Sequence, residues 1–146
     1  MDRDQFIKIC GFGCLGIFGI IPLLESCTPT KYLTGAIDGT FLEIPLSAFD
    51  HVKKRESRFR TYVVVQNDAL QYPICLYRLS VTEFKALLMK CTHQGTELQV
   101  YGDRLQCPAH GSEFTKNGAV QNGPAEINLR QFPVHIEADK LKINLA

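Results

Sequence analysis

The sequence predicts an all-β fold, an antiparallel β-sandwich, on three observations. Short runs of β-branched and aromatic residues recur, such as TYVVVQ at residues 61–66. Turn pairs such as Asn67-Asp68 and Gly102-Asp103 separate those runs. The chain has 146 residues, 45% of them hydrophobic and 21% charged, enough for one packed domain and little more. That composition excludes a largely disordered chain. The formal net charge of +1 lacks the basic surplus of nucleic-acid binders, so no nucleic-acid partner is expected. A multi-span membrane protein is excluded as well, because only one long uncharged run is present.

That run, ICGFGCLGIFGIIPLL at residues 9–24, is sixteen residues long and follows Arg3 and Lys8. A charged start and a short apolar middle make the layout of a secretory signal. The tetrapeptide Leu24-Glu25-Ser26-Cys27 resembles a bacterial lipoprotein box, with Cys27 as the lipidated residue. Residues 3–8 (RDQFIK) resemble a twin-arginine export signal in which Asp4 replaces the second arginine. An uncleaved N-terminal anchor helix is the alternative. The expected division is therefore a signal or lipoprotein-like segment over 1–27, a tether over 28–39 (TPTKYLTGAIDG) and a folded domain over 40–146. This places the domain outside the cytoplasm in a bacterial cell envelope, held to the membrane by lipid or helix.

Within the domain, TFLEIPL at 40–46 alternates and predicts a strand. Residues 47–60 read as a short helix or a charged loop, with Lys53, Lys54, Arg55, Arg58 and Arg60 as a solvated basic face. Residues 61–66 predict a buried strand, and 74–79 (ICLYRL) another after Pro73. The segment 83–90 (EFKALLMK) has helical propensities, but its shortness and position favour a strand. Residues 98–100 and 104–106 flank Gly102-Asp103 as a hairpin, and 132–137 and 140–144 flank Ala138-Asp139 as a closing hairpin. No repeat and no low-complexity tract is visible. His51 and His135 read as surface and structural residues.

The six cysteines divide by context. Cys10 and Cys14 are small apolar residues of the N-terminal run, Cys27 closes it, and Cys75 sits at a buried strand position. Cys91-Thr92-His93 and Cys107-Pro108-Ala109-His110 are different, because each sets a thiolate beside an imidazole in a loop. The predicted hairpin between them would bring both loops to one tip. A structural zinc module would use the same Cys₂His₂ set. The alternating order Cys-His, Cys-His better suits a binuclear iron centre with two cysteines on one iron and two histidines on the other.

The segments Cys91-Thr92-His93-Gln94-Gly95 and Cys107-Pro108-Ala109-His110-Gly111-Ser112 closely resemble the motif pair of the Rieske family. The likeness continues through Gly123-Pro124-Ala125, which resembles the proline-bearing loop that covers the cluster. It implies a Rieske-type antiparallel β-sandwich with cluster-binding loops at one tip. It also implies a [2Fe–2S] cluster held by Cys91, His93, Cys107 and His110, with Gly95, Gly111, Ser112 and Pro124 around it. Ser112 matches a serine that donates to a cluster sulfide. Thr96 and Ala109 stand where high-potential members carry a disulfide, and Phe114 where they carry a hydrogen-bonding tyrosine. Fewer donors imply a potential below the top of the roughly −150 to +300 mV Rieske range.

The function implied is one-electron transfer with a redox protein partner, a cytochrome or a larger oxidoreductase. The alternative is a small subunit of an envelope oxidoreductase, arsenite-oxidase-like or quinol-oxidising. The chain shows no independent catalytic motif, so catalytic residues are not assigned.

Overall fold

The computed structural model describes residues 30–53 and 56–146, without the side chains of 52–58. The predicted signal segment, the lipoprotein-like box and Cys27 lie outside the described residues. Among the described residues, no helix is long and apolar enough to cross a membrane.

In chain order, the first strands are β1 (Tyr32–Thr34), β2 (Ala36–Asp38) and β3 (Phe41–Pro45). A 3-10 turn (Leu46–Phe49) leads to β4 (Asp50–Lys53), β5 (Glu56–Phe59), β6 (Tyr62–Gln66), β7 (Ile74–Arg78) and β8 (Phe84–Leu88). Then follow β9 (Gln99–Tyr101), β10 (Arg104–Gln106), β11 (Glu113–Thr115) and β12 (Val120–Asn122). The last are β13 (Gln131–Phe132), β14 (Val134–Glu137) and β15 (Lys140–Asn144).

Thirteen of these strands build three layers, and β4-β5 forms a separate two-stranded sheet. The central sheet runs β1-β6-β7-β8-β13, one outer sheet β14-β15-β3-β2, and the other β12-β11-β10-β9. The central strands are buried on both faces, so they read as unbroken apolar runs. Val63 and Val65, with Ile74 and Leu76, face Leu42, Ile44, Leu141 and Ile143 of the first outer sheet. Val64, Cys75, Tyr77 and Leu87 face the other way, onto Leu105 and Phe114. Cys91 and Cys107 belong to this second core. The period of two along a strand thus divides one strand between two cores.

The structure corrects three expectations. The segment 28–39 is not all tether, because β1 and β2 belong to the domain. β1 pairs with β6 in parallel, the Val64 N–H donating to the Lys31 carbonyl at 2.9 Å and the Gly35 N–H to the Gln66 carbonyl at 3.0 Å. Gly35 is required there: a Cβ would meet Leu42 at 2.7 Å and Val65 at 2.9 Å. Its Gly and Thr neighbours suggested a linker, but the lack of a side chain lets the backbone close onto the core.

Residues 47–60 form neither a helix nor a simple loop: after the 3-10 turn, β4 and β5 pair antiparallel with Asp50 opposite Phe59. The predicted strand 132–137 is two strands in two sheets. β13 pairs with β8, β14 pairs with β15, and Pro133 between them has no N–H to continue a ladder.

Candidate metal centre

Two loops at one end of the third sheet position the predicted ligands. The first is closed by the antiparallel bridge Lys90↔Glu97, the second by the β10–β11 pair Gln106↔Glu113. Inside each, the same two backbone bonds recur. The Cys91 N–H donates to the Thr96 carbonyl at 2.8 Å and the Gly95 N–H to the Cys91 carbonyl at 2.8 Å. In the second loop, the Cys107 N–H donates to the Ser112 carbonyl at 2.8 Å and the Gly111 N–H to the Cys107 carbonyl at 3.0 Å. Gly95 and Gly111 both have φ +77, a left-handed conformation that favours glycine.

The loops are therefore a short repeat, Cys-x-x-x-Gly-(Thr/Ser)-Glu, only seven residues long and thus too short to register as a domain-scale period. Thr96 is the first loop's counterpart of Ser112.

A third loop braces both. The Thr92 hydroxyl donates to the Ile127 carbonyl at 2.6 Å, holding the first loop. The Ala125 N–H donates to Ser112 Oγ at 3.0 Å, and Asn122 Nδ2 to the Gly111 carbonyl at 3.4 Å, holding the second. Ser112 is fully buried, so this bond satisfies a donor and an acceptor that water cannot reach. Its hydroxyl proton stays free to point elsewhere. Pro124, in a cis bond after Gly123, is exposed between these contacts.

The sulfurs and the imidazoles have opposite environments. Cys91 and Cys107 are buried, whereas His93 and His110 are exposed, their rings edge-to-face with centroids 5.1 Å apart. Burial works to raise the Cys107 pKa, but hydrogen bonding from the backbone of His110 and Ala109, and from the side chains of Cys91 and Thr96, works to lower it. The net effect holds the thiol below its ordinary value. Cys75 contrasts: burial among apolar side chains pushes its thiol up, and it is inert core, as its sequence position suggested.

The donor set fits a binuclear cluster. Two buried sulfurs in mutual contact and two adjacent imidazoles make two ligand pairs, one for each iron.

Beside His93 lies a hollow of about 450 Å³, lined by Lys90, Thr92, Gln94, Ile127 and Arg130 among others. Ile127 is 68% exposed there. Single-sequence reasoning missed Thr92, Asn122 and Ile127, since nothing at their positions marks them as partners of the ligand loops.

The chain belongs to the Rieske family: the family model described as "Rieske [2Fe-2S] domain" matches residues 47–133, more than half the sequence. Members of that family carry a [2Fe–2S] cluster, so the class is that of Rieske-type electron-transfer proteins. Among curated relatives, the cytochrome b6-f complex iron-sulfur subunit of Chlorobaculum tepidum is 34% identical over 58 residues, covering 38% of this chain and 32% of that protein. The same subunit of a Cyanothece species is 26% identical, covering 97% of this chain and 83% of that one. The fold matches that of the plasma membrane Rieske protein PetC3 from Synechocystis, with a TM-score of 0.51 at 22% identity over 57% of this chain and 86% of that one.

Proposed function

We propose that this protein is a one-electron carrier or redox subunit of the bacterial cell envelope, its cluster held by Cys91 and Cys107 on one iron and His93 and His110 on the other. The observation that carries this reading is the split between buried sulfurs and exposed imidazoles. The cluster, when bound, supplies a one-electron couple whose potential is raised by its neutral imidazole ligands. The chain does the rest. Its backbone N–H groups stabilise negative charge on the Cys107 sulfur, the second core keeps water from both sulfurs, and Gly95 and Gly111 allow the tight loop closures.

The imidazole edges of His93 and His110 are the exposed part of the ligand set, and electrons enter and leave there. The exposed Ile127 and the cations Lys90 and Arg130 beside His93 suit a redox protein partner with an apolar contact ringed by acidic groups. The relatives named as cytochrome b6-f subunits favour a quinol-oxidising complex over other oxidoreductases.

Residues 1–27 act as the membrane-targeting segment, with Cys27 as the lipidated first residue of the mature chain. Mass spectrometry of the membrane-extracted protein should find an acylated N-terminal Cys27; a chain beginning at Met1 overturns lipidation in favour of an anchor helix.

The decisive experiment is EPR of the dithionite-reduced full chain, with iron and acid-labile sulfide assayed on the same sample. A rhombic signal of mixed Cys/His ligation, with equal iron and sulfide, is expected. Zinc without sulfide would leave a structural module instead.

A further inference from the structure

We propose that Asn122 is a site of spontaneous covalent modification, its side-chain amide closing onto the backbone nitrogen of Gly123 in the segment that braces the second ligand loop. The inference does not depend on the electron-transfer reading.

The chain contains two Asn-Gly pairs, Asn117-Gly118 and Asn122-Gly123. Such pairs favour ring closure, because a glycine without a side chain lets its nitrogen approach the preceding amide carbonyl. The fold treats the two pairs differently. Asn117-Gly118 is locked: the Gly118 N–H donates to the Thr115 carbonyl at 2.8 Å, and the Asn117 carbonyl accepts from Gln131 Nε2 at 2.9 Å. Gly118 is also buried, with Leu87 2.9 Å from where a Cβ would stand. Asn122-Gly123 is open. Both residues are exposed, and a Cβ at Gly123 would meet nothing within 4 Å. The hold on the Asn122 side chain is the 3.4 Å contact of Nδ2 with the Gly111 carbonyl, long for a hydrogen bond.

The step needs no oxidant and no partner. The Gly123 nitrogen gives its proton to solvent base and bonds to the side-chain carbonyl carbon of Asn122. The carbon–nitrogen bond of the carboxamide breaks, and ammonia leaves with a proton from solvent. Water then opens the cyclic imide at either carbonyl, leaving aspartate or isoaspartate.

The product weakens the brace. A carboxylate cannot donate to the Gly111 carbonyl. Asn122 also stands opposite Glu113, which closes the second loop, so the new charge faces a like charge across the ladder. The Thr92 bond that holds the first loop is untouched.

The test is peptide mass spectrometry of the purified full chain aged in mildly alkaline buffer, with isoaspartate labelled by a purified isoaspartyl methyltransferase. Conversion at Asn122 should be about tenfold faster than at Asn117, whose pair must first give up the Thr115 bond. In the chain unfolded by urea the two rates should converge. N122Q, which must close a larger ring, should lose the signal, and G123A, whose methyl hinders the attack, should slow it if N122Q folds poorly. N122D should unfold at a lower denaturant concentration than wild type. An intact Asn122 in the aged chain overturns the proposal, as does conversion of Asn117 at an equal rate. The same rate difference in urea would assign it to sequence and overturn the structural argument, and an N122D midpoint equal to wild type would overturn the weakened brace.

Discussion

Cys91 and Cys107 each stand one residue past a paired strand position and four residues before a left-handed glycine, yet His93 follows its cysteine by two residues and His110 by three. The likeness resides where the chain is buried. Two backbone bonds in each loop fix the cysteine and glycine, and the second core closes over both sulfurs. The unlikeness resides where it is exposed: His93 and His110 both face solvent, so each imidazole can issue from a different point. The bracing differs too. The first loop is held by a threonine hydroxyl inside its ligand pair, and the second by Ser112 and Asn122 beyond its ligand pair.

This comparison can be tested in order of effect. Cys91→Ser and Cys107→Ser should each abolish the centre, leaving no iron and no sulfide in a chain assayed by elemental analysis. If either variant retains a full cluster, the two sulfurs are not an equivalent pair.

Ser112→Ala removes the acceptor of the buried Ala125 N–H and should cost about 1–3 kcal/mol in denaturant unfolding. Gly95→Ala and Gly111→Ala should each cost about 1–2 kcal/mol, because alanine is strained at φ +77. The two costs should be alike, since at Gly95 a Cβ would meet nothing nearer than the flexible end of Lys90 at 3.4 Å and at Gly111 nothing within 4 Å. A large inequality between them would show that the loops are not the same frame.

Thr92→Val should cost about 0.5–1.5 kcal/mol by losing the bond to Ile127, and Asn122→Ala less, because its contact is longer at 3.4 Å.

The smallest effect lies away from both loops. Lys140 and Lys142 hydrogen-bond Glu43 at 3.0 and 3.3 Å and hold its carboxyl below the usual range. A depressed carboxyl contributes stability above its unfolded pKa, and that stability is lost as pH falls through the folded pKa. Glu43→Gln should therefore flatten the acid limb of stability against pH slightly, with no change in cluster content at neutral pH. A changed EPR signal in that variant would mean the outer sheet and the loops are coupled.

Much of this architecture was legible in the residues. The runs at 61–66, 74–79 and 83–90 became β6, β7 and β8, because short apolar segments between turns have few alternatives to a strand. The helical propensity of 83–90 was overridden by its place between β7 and β13 in the central sheet. The hairpin at Gly102-Asp103 formed as its turn chemistry required, with Gly102 at φ +62. Less legible were β1, β2 and the β4–β5 hairpin. Their residues are half-polar, and each holds its place through pairing with a distant or neighbouring strand, which composition does not encode.

The sequence by itself determined the family, the cluster type and the identity of the four candidate ligands, because a thiolate or imidazole cannot be replaced by position. It also determined that Cys75 is core. Only the tertiary structure decided that the central sheet serves two cores, that the two ligand loops are copies of one frame, and that Thr92 and Asn122 brace them. Those features rest on bonds between segments far apart in the chain, whose partners are chosen by the packing of three sheets and not by the residues next door.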